Sequence, residues 1–174
     1  SAEDITEERE QQEEIKRTKN LLEKLSNQAP GTLFQYRLFP DGSSVFPYAS
    51  DGIYEVYEFT AQDVMKDATK VFERLHPDDY QEVVDSIKKS AEELTIWHKE
   101  YRVILPKKGK RWVEGIANPQ KLDDGSVLWH GNIKDITNRK EIEKKLNQER
   151  KFLELIINSY PNFVFVKDWY GRYQ

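Results

Sequence analysis

A chain of 174 residues, 33% of them charged and with a net charge of −4, has room for one domain of ordinary size with flanking segments. Its 8 Phe, 9 Tyr and 4 Trp exclude a disordered polymer, and the lack of a long basic run argues against nucleic acid as a partner. It has no cysteine, which rules out disulfides, thiolate chemistry and Cys-ligated zinc or iron–sulfur, and no apolar run approaches the roughly 20 residues of a membrane span. These features fit a cytoplasmic protein with no membrane insertion in this segment.

Residues 7–27 contain no Gly or Pro and are dominated by Glu, Lys, Gln and Leu, so a helix is expected, with Thr6 placed to cap it. Thr32 to Phe39 alternates Phe34, Tyr36 and Leu38 with Gln35 and Arg37, then turns at Pro40-Asp41-Gly42 into Ser44–Tyr48, the signature of a hairpin. A short segment with Ile53, Tyr54, Val56 and Tyr57 follows. Thr60 and Asp63 then form a capping box ahead of a run in which Ala61, Val64, Met65, Ala68, Val71, Phe72 and Leu75 recur at helical spacing. His76-Pro77-Asp78-Asp79 opens another helix, with Pro at its first position and two carboxylates at the positive end of its dipole.

Three strands close the pattern. Thr95–Leu105 sets Trp97, Lys99, Tyr101, Val103 and Leu105 on one face and His98, Glu100 and Arg102 on the other. A turn at Lys107–Lys110 leads to Arg111–Asn118, and Asp123-Asp124-Gly125-Ser126 leads to Val127–Lys134. Two strands, about three helices and a three-stranded meander imply an α+β fold, a five-stranded antiparallel sheet with helices on one face. Helix patterning resumes over residues 138–157.

The two ends repeat each other. A shift of 131 residues carries Asp4-Ile5-Thr6 onto Asp135-Ile136-Thr137, Leu22-Glu23 onto Leu153-Glu154, and Pro30 and Phe34 onto Pro161 and Phe165, without a gap. Apolar residues at Ile15, Leu22 and Leu25, and at Ile142, Leu146, Leu153 and Ile156, keep a seven-residue register interrupted by Thr18 and Glu149. One amphipathic helix lying on its own domain would satisfy this pattern, as would a parallel coiled coil in a homodimer.

Several of these stretches resemble PAS domains. Glu100-Tyr101-Arg102, the turn Lys108-Gly109-Lys110, Arg111-Trp112-Val113, Asp124-Gly125, and Gly131 followed by Asp135-Ile136-Thr137 and Arg139-Lys140 are similar to the C-terminal half of that family (its PAC motif), and Leu75-His76-Pro77-Asp78-Asp79 resembles the start of its F helix. The tail around Phe165-Val166-Lys167-Asp168 is similar to the first strand of a further PAS domain, and Asp4-Ile5-Thr6 to the last strand of a preceding one. On this reading residues 1–6 end one PAS domain, 7–27 are a helical linker, 28–137 a whole PAS domain, 138–157 a second linker and 158–174 the start of another domain.

The resemblance implies a tandem-repeat sensor in signal transduction, passing a signal through its linkers to an output domain in the same chain, a histidine kinase of a two-component system or a cyclic-di-GMP enzyme. It also implies that Asp135 and Thr137, with Ile142 and Leu146 on the outgoing helix, carry the coupling. A ligand would meet the inward set Phe34, Tyr36, Tyr54, Tyr57, Phe72, Tyr101 and Val103, although such residues are also ordinary core. Lys99 either reaches water at the sheet edge or anchors an acidic ligand. A cysteine-linked chromophore is excluded. Haem needs an axial ligand, for which His76, His98 and His130 are poorly placed. The cofactor is otherwise unknown: non-covalent flavin, a small organic ligand and an empty core stay open. A ligand-free dimerisation scaffold is the alternative function. Catalysis by a small α+β enzyme is not expected, since the carboxylates Asp78, Asp79, Glu100 and Glu114 are accounted for by a helix start or by strand positions facing away from the core.

Overall fold

Period-two alternation of apolar and polar residues builds the sheet. The computed structural model describes residues 2–28 and 31–159, and the chain divides into two units, residues 1–136 and 137–174. In the first unit the order is α1 (Ala2–Gln28), β1 (Thr32–Leu38), β2 (Ser44–Ala49), α2 (Ile53–Tyr57), α3 (Ala61–Lys66), α4 (Thr69–Glu73), α5 (Pro77–Glu93), β3 (Trp97–Leu105), β4 (Gly109–Lys121) and β5 (Val127–Asp135). The strands form one antiparallel sheet in the order β2-β1-β5-β4-β3. The first strand therefore lies between its own hairpin partner and the last, and the meander is closed on β1 by seven matched pairs from Thr32↔Ile133 to Leu38↔Val127. The expected α+β architecture is the one found.

Two turns share one chemical device. Asp41 accepts from the Ser43 backbone N–H at 2.9 Å and its hydroxyl at 2.6 Å, and Asp124 does the same with Ser126 at 3.0 and 2.6 Å. Between them Gly42 and Gly125 take φ of +86° and +82°, which a side chain would oppose. Those hydrogen bonds hold both aspartates below the usual carboxylate range.

The helical run from Ala61 to Leu75 is two short helices. α3 has the expected capping box at Thr60 and Asp63, but Asp67 turns extended, and its carboxylate accepts from the Thr69 N–H at 3.0 Å and hydroxyl at 2.6 Å, so α4 starts afresh. α5 opens as expected: His76 Nδ1 accepts from the Asp78 N–H at 3.3 Å, and Pro77 takes the first turn. The neighbouring segment covers the outer edge of β3, with His76 N–H donating to the Arg102 carbonyl at 2.9 Å and Ile104 N–H to the Arg74 carbonyl at 2.7 Å. Arg102 also donates to Asp79 from its backbone N–H at 2.8 Å and from its guanidinium, which holds that carboxyl below its usual range.

Residues 4–6, expected to end a strand, lie inside α1. A strand end needs a neighbouring strand for its N–H and C=O groups, whereas a helix satisfies them internally. The second unit is described over α6 (Thr137–Ser159), which begins at Thr137 itself; the residue expected to cap the helix is its first member and is buried. The start of a following domain, expected over 158–174, lies from residue 160 onward outside the described residues.

Candidate functional site: an apolar cavity between sheet and helices

The inner face of the sheet and the helices that cover it enclose a cavity of about 40 Å³. β1 contributes Phe34 and Tyr36, β2 Phe46, β3 Trp97 and Tyr101, β4 Ala117, and β5 Trp129 and Ile133; Tyr57, Val71, Phe72, Leu75, Val83 and Ile87 close it from the helical side. A water needs roughly 10–15 Å³ of such space and two or more polar partners. The cavity has room for two or three waters, but its lining is almost wholly apolar, so an apolar group is the better occupant.

Three pairs of polar atoms in this wall satisfy one another. The phenols of Tyr57 and Tyr101 meet at 2.5 Å. Burial pushes Tyr101 up to about 12 and Tyr57 well above its ordinary value, so both are neutral. The indole N–H of Trp97 donates to Ser86 at 2.9 Å, and that of Trp129 to Ser90, also at 2.9 Å. The serines pass their own protons to backbone carbonyls, Ser86 to Val83 at 2.7 Å and Ser90 to Thr95 at 2.6 Å. α5 is thereby tied to β3 and β5 through side chains that also line the cavity.

The expected pocket set divides. Phe34, Tyr36, Tyr57, Phe72 and Tyr101 line the cavity. Val103 is fully buried but lies along the core beside it, bridged to Leu75. Tyr54 does not face inward: it is 41% exposed, and Lys107 lies over its ring at 5.6 Å and donates to its hydroxyl at 2.8 Å. The reason is the helical turn of α2, which buries Ile53, Val56 and Tyr57 and must leave Tyr54 outside. Lys99, on edge strand β3, pairs with Glu82 of α5 and does not line the cavity. The residues that the sequence reading left out include Phe46, Trp97 and Trp129. The alternation of β5, in which Val127, Trp129 and Ile133 are buried, carried that information for Trp129.

The three histidines all lie away from the cavity. His76 caps α5, His98 Nε2 meets Glu114 at 3.0 Å, and His130 Nδ1 meets Gln35 at 3.2 Å. Glu114 is buried on the outer face of the sheet, where it also pairs with Lys134 at 2.8 Å. Among the described residues no group of three His, Asp or Glu could hold a metal ion, and no helix is long and apolar enough to cross a membrane. Of the coupling residues, Asp135 ends β5 opposite Val113 and Thr137 opens α6, while Ile142 and Leu146 are exposed along it.

Comparison with known proteins agrees with this architecture. A curated relative in Methanosarcina acetivorans, named a methyl sulfide methyltransferase-associated sensor, is 28% identical over 141 residues, covering 80% of this chain and 14% of its own length. An uncharacterized protein of Sinorhizobium fredii is 28% identical over 93 residues, 53% of this chain and 11% of its own. The chain thus spans a small part of the curated relatives it matches. Among solved structures it superposes on a sensory box histidine kinase/response regulator of Burkholderia thailandensis with a TM-score of 0.53 at 23% identity, covering 70% of this chain and 90% of that one. It also matches a domain of a light and redox sensing histidine kinase, itself a tentative assignment, from Haloarcula marismortui with a TM-score of 0.52 at 20% identity, covering 70% and 99%. The PAS fold family model matches residues 46–133, half of the chain, and the chain belongs to that family.

Proposed function

We propose that this PAS unit is a cytoplasmic, non-catalytic sensor module that converts occupancy of its core cavity into a change at the start of α6, and so into the activity of an output domain in the same chain. Trp129 carries the reading. Its ring lines the cavity, its N–H is bonded to Ser90 on α5, and its strand runs without interruption through Asp135-Ile136 into α6. A group entering the cavity displaces Trp129, and the paired strands β1 and β4 confine that displacement to β5. The sensory box histidine kinase among its structural neighbours supports a histidine kinase output, with a cyclic-di-GMP enzyme as the alternative. A signal-relay role, as against catalysis, is supported by the engagement of Asp79 with Arg102 and of Glu114 with His98 and Lys134.

The working unit is a homodimer joined through its linker helices. Ile15 and Leu25 on α1, and Ile142, Leu146 and Leu153 on α6, are all more than half exposed at heptad spacing, a stripe that a second copy would bury. The test is Trp129→Phe in the full-length protein, which keeps a ring in the wall and removes the bond to Ser90. Phosphotransfer or cyclic-di-GMP turnover is expected to lose its response to signal while the fold is retained. An unchanged response would leave a ligand-free dimerisation scaffold as the better account, a reading favoured by the small volume of the cavity.

A further inference from the structure

Two hollows in this domain share a wall one side chain thick. Tyr36, Phe72 and Ile87 line the core cavity on one side, and on the other they line an open groove between the β1–β2 hairpin and α5. The groove carries Leu38 and Val84 on its apolar surface, and Ser44, Tyr80 and Lys88 supply its polar groups. Lys88 is exposed and makes no ion pair among the described residues, whereas Lys89 pairs with Glu93 and Lys99 with Glu82.

We infer that the groove and the cavity together take a free medium-chain carboxylate, its apolar end in the core and its head at Lys88 and the Tyr80 hydroxyl. This rests on the cavity being the sensing site. The cavity has no unpaired polar atom to offer and too little space for a haem or flavin, so what reaches it must be narrow and apolar. Phe72 is the side chain suited to yield. It is only half-buried, and it sits on the five-residue α4, which is too short to be stable by itself. A chain with a net charge of −4 repels an anion at long range, so a carboxylate needs a local cation that is not already neutralised, and at this groove Lys88 is that cation.

The test is calorimetric titration of the full chain with hexanoate, octanoate and 1-octanol. Octanoate is expected to bind more tightly than 1-octanol, and each added methylene to tighten binding about fourfold. Lys88→Gln, at an exposed position that should not disturb folding, is expected to bring octanoate down to the level of 1-octanol and leave the alcohol unchanged. Equal binding of acid and alcohol, or a Lys88→Gln variant that titrates as the wild type does, would overturn the anionic assignment and leave the apolar cavity standing as a ligand site. Absence of heat with all three probes, together with an unshifted melting temperature, would overturn both. Pelleting with phosphatidylglycerol vesicles in place of a response to octanoate would identify a lipid surface as the occupant and also overturn the assignment.

Discussion

The indole N–H of Trp129 and the hydroxyl of Ser90 meet at 2.9 Å in the core, joining the strand that leads out of the domain to the helix that covers its sheet. Ser90 is 3% exposed and hands its own proton to the Thr95 carbonyl, so its one donor is used and it has no access to water. Ser90→Ala leaves a buried indole donor and a carbonyl acceptor without this partner. Such groups cost about 1–3 kcal/mol. Urea denaturation followed by circular dichroism should show a loss of that size with an unchanged slope.

The Tyr57–Tyr101 pair predicts a non-additive cycle. Either single change to Phe leaves one buried hydroxyl unsatisfied, at about 1–3 kcal/mol, whereas the double change removes both partners and should be close to neutral. The pair also sets an alkaline limit. Tyr101 is raised to about 12 from an ordinary value near 10, so its contribution is complete below about pH 10 and is lost as pH rises through 12. The double Phe variant should therefore resist alkaline unfolding better than the wild type, which a pH melt read by circular dichroism would show.

At the other end of α5 the sign is reversed. Arg102 holds the Asp79 carboxyl below its usual value near 3.9, so the stabilisation is present above that pH and is lost as pH falls through the depressed value. Asp79→Asn should lower the denaturation midpoint at pH 7. The gap to the wild type should close in acid, as the native carboxyl is itself protonated.

The heptad stripe of α6 predicts an effect on assembly and none on the sheet. Leu146, 66% exposed, gains nothing from its own domain, so Leu146→Glu should leave thermal stability within about 0.5 kcal/mol at low protein concentration. Sedimentation velocity should show the proposed dimer weakened. Lys145→Pro, in the interior of the same helix, removes a backbone bond and costs about 3 kcal/mol of helix stability.

The order of elements, the turns at Asp41-Gly42 and Asp124-Gly125, the cap at Thr60 and the helix start at His76-Pro77 were legible in the sequence by itself. Each is local: a period of two or of 3.6, or a carboxylate or hydroxyl within three residues of the N–H it accepts from. The inward placing of Phe34, Tyr36, Tyr57, Phe72 and Tyr101 followed from the same periodicities. Only the tertiary structure could decide what depends on distant partners. Tyr54 leaves the pocket because a five-residue helix has too few positions to bury them all, and Lys107, 53 residues on, covers its ring. Lys99 meets Glu82 because β3 and α5 pack side by side, and Trp129 meets Ser90 across 39 residues of chain. The closure of the meander onto β1 fixes those approaches, and no local pattern encodes them.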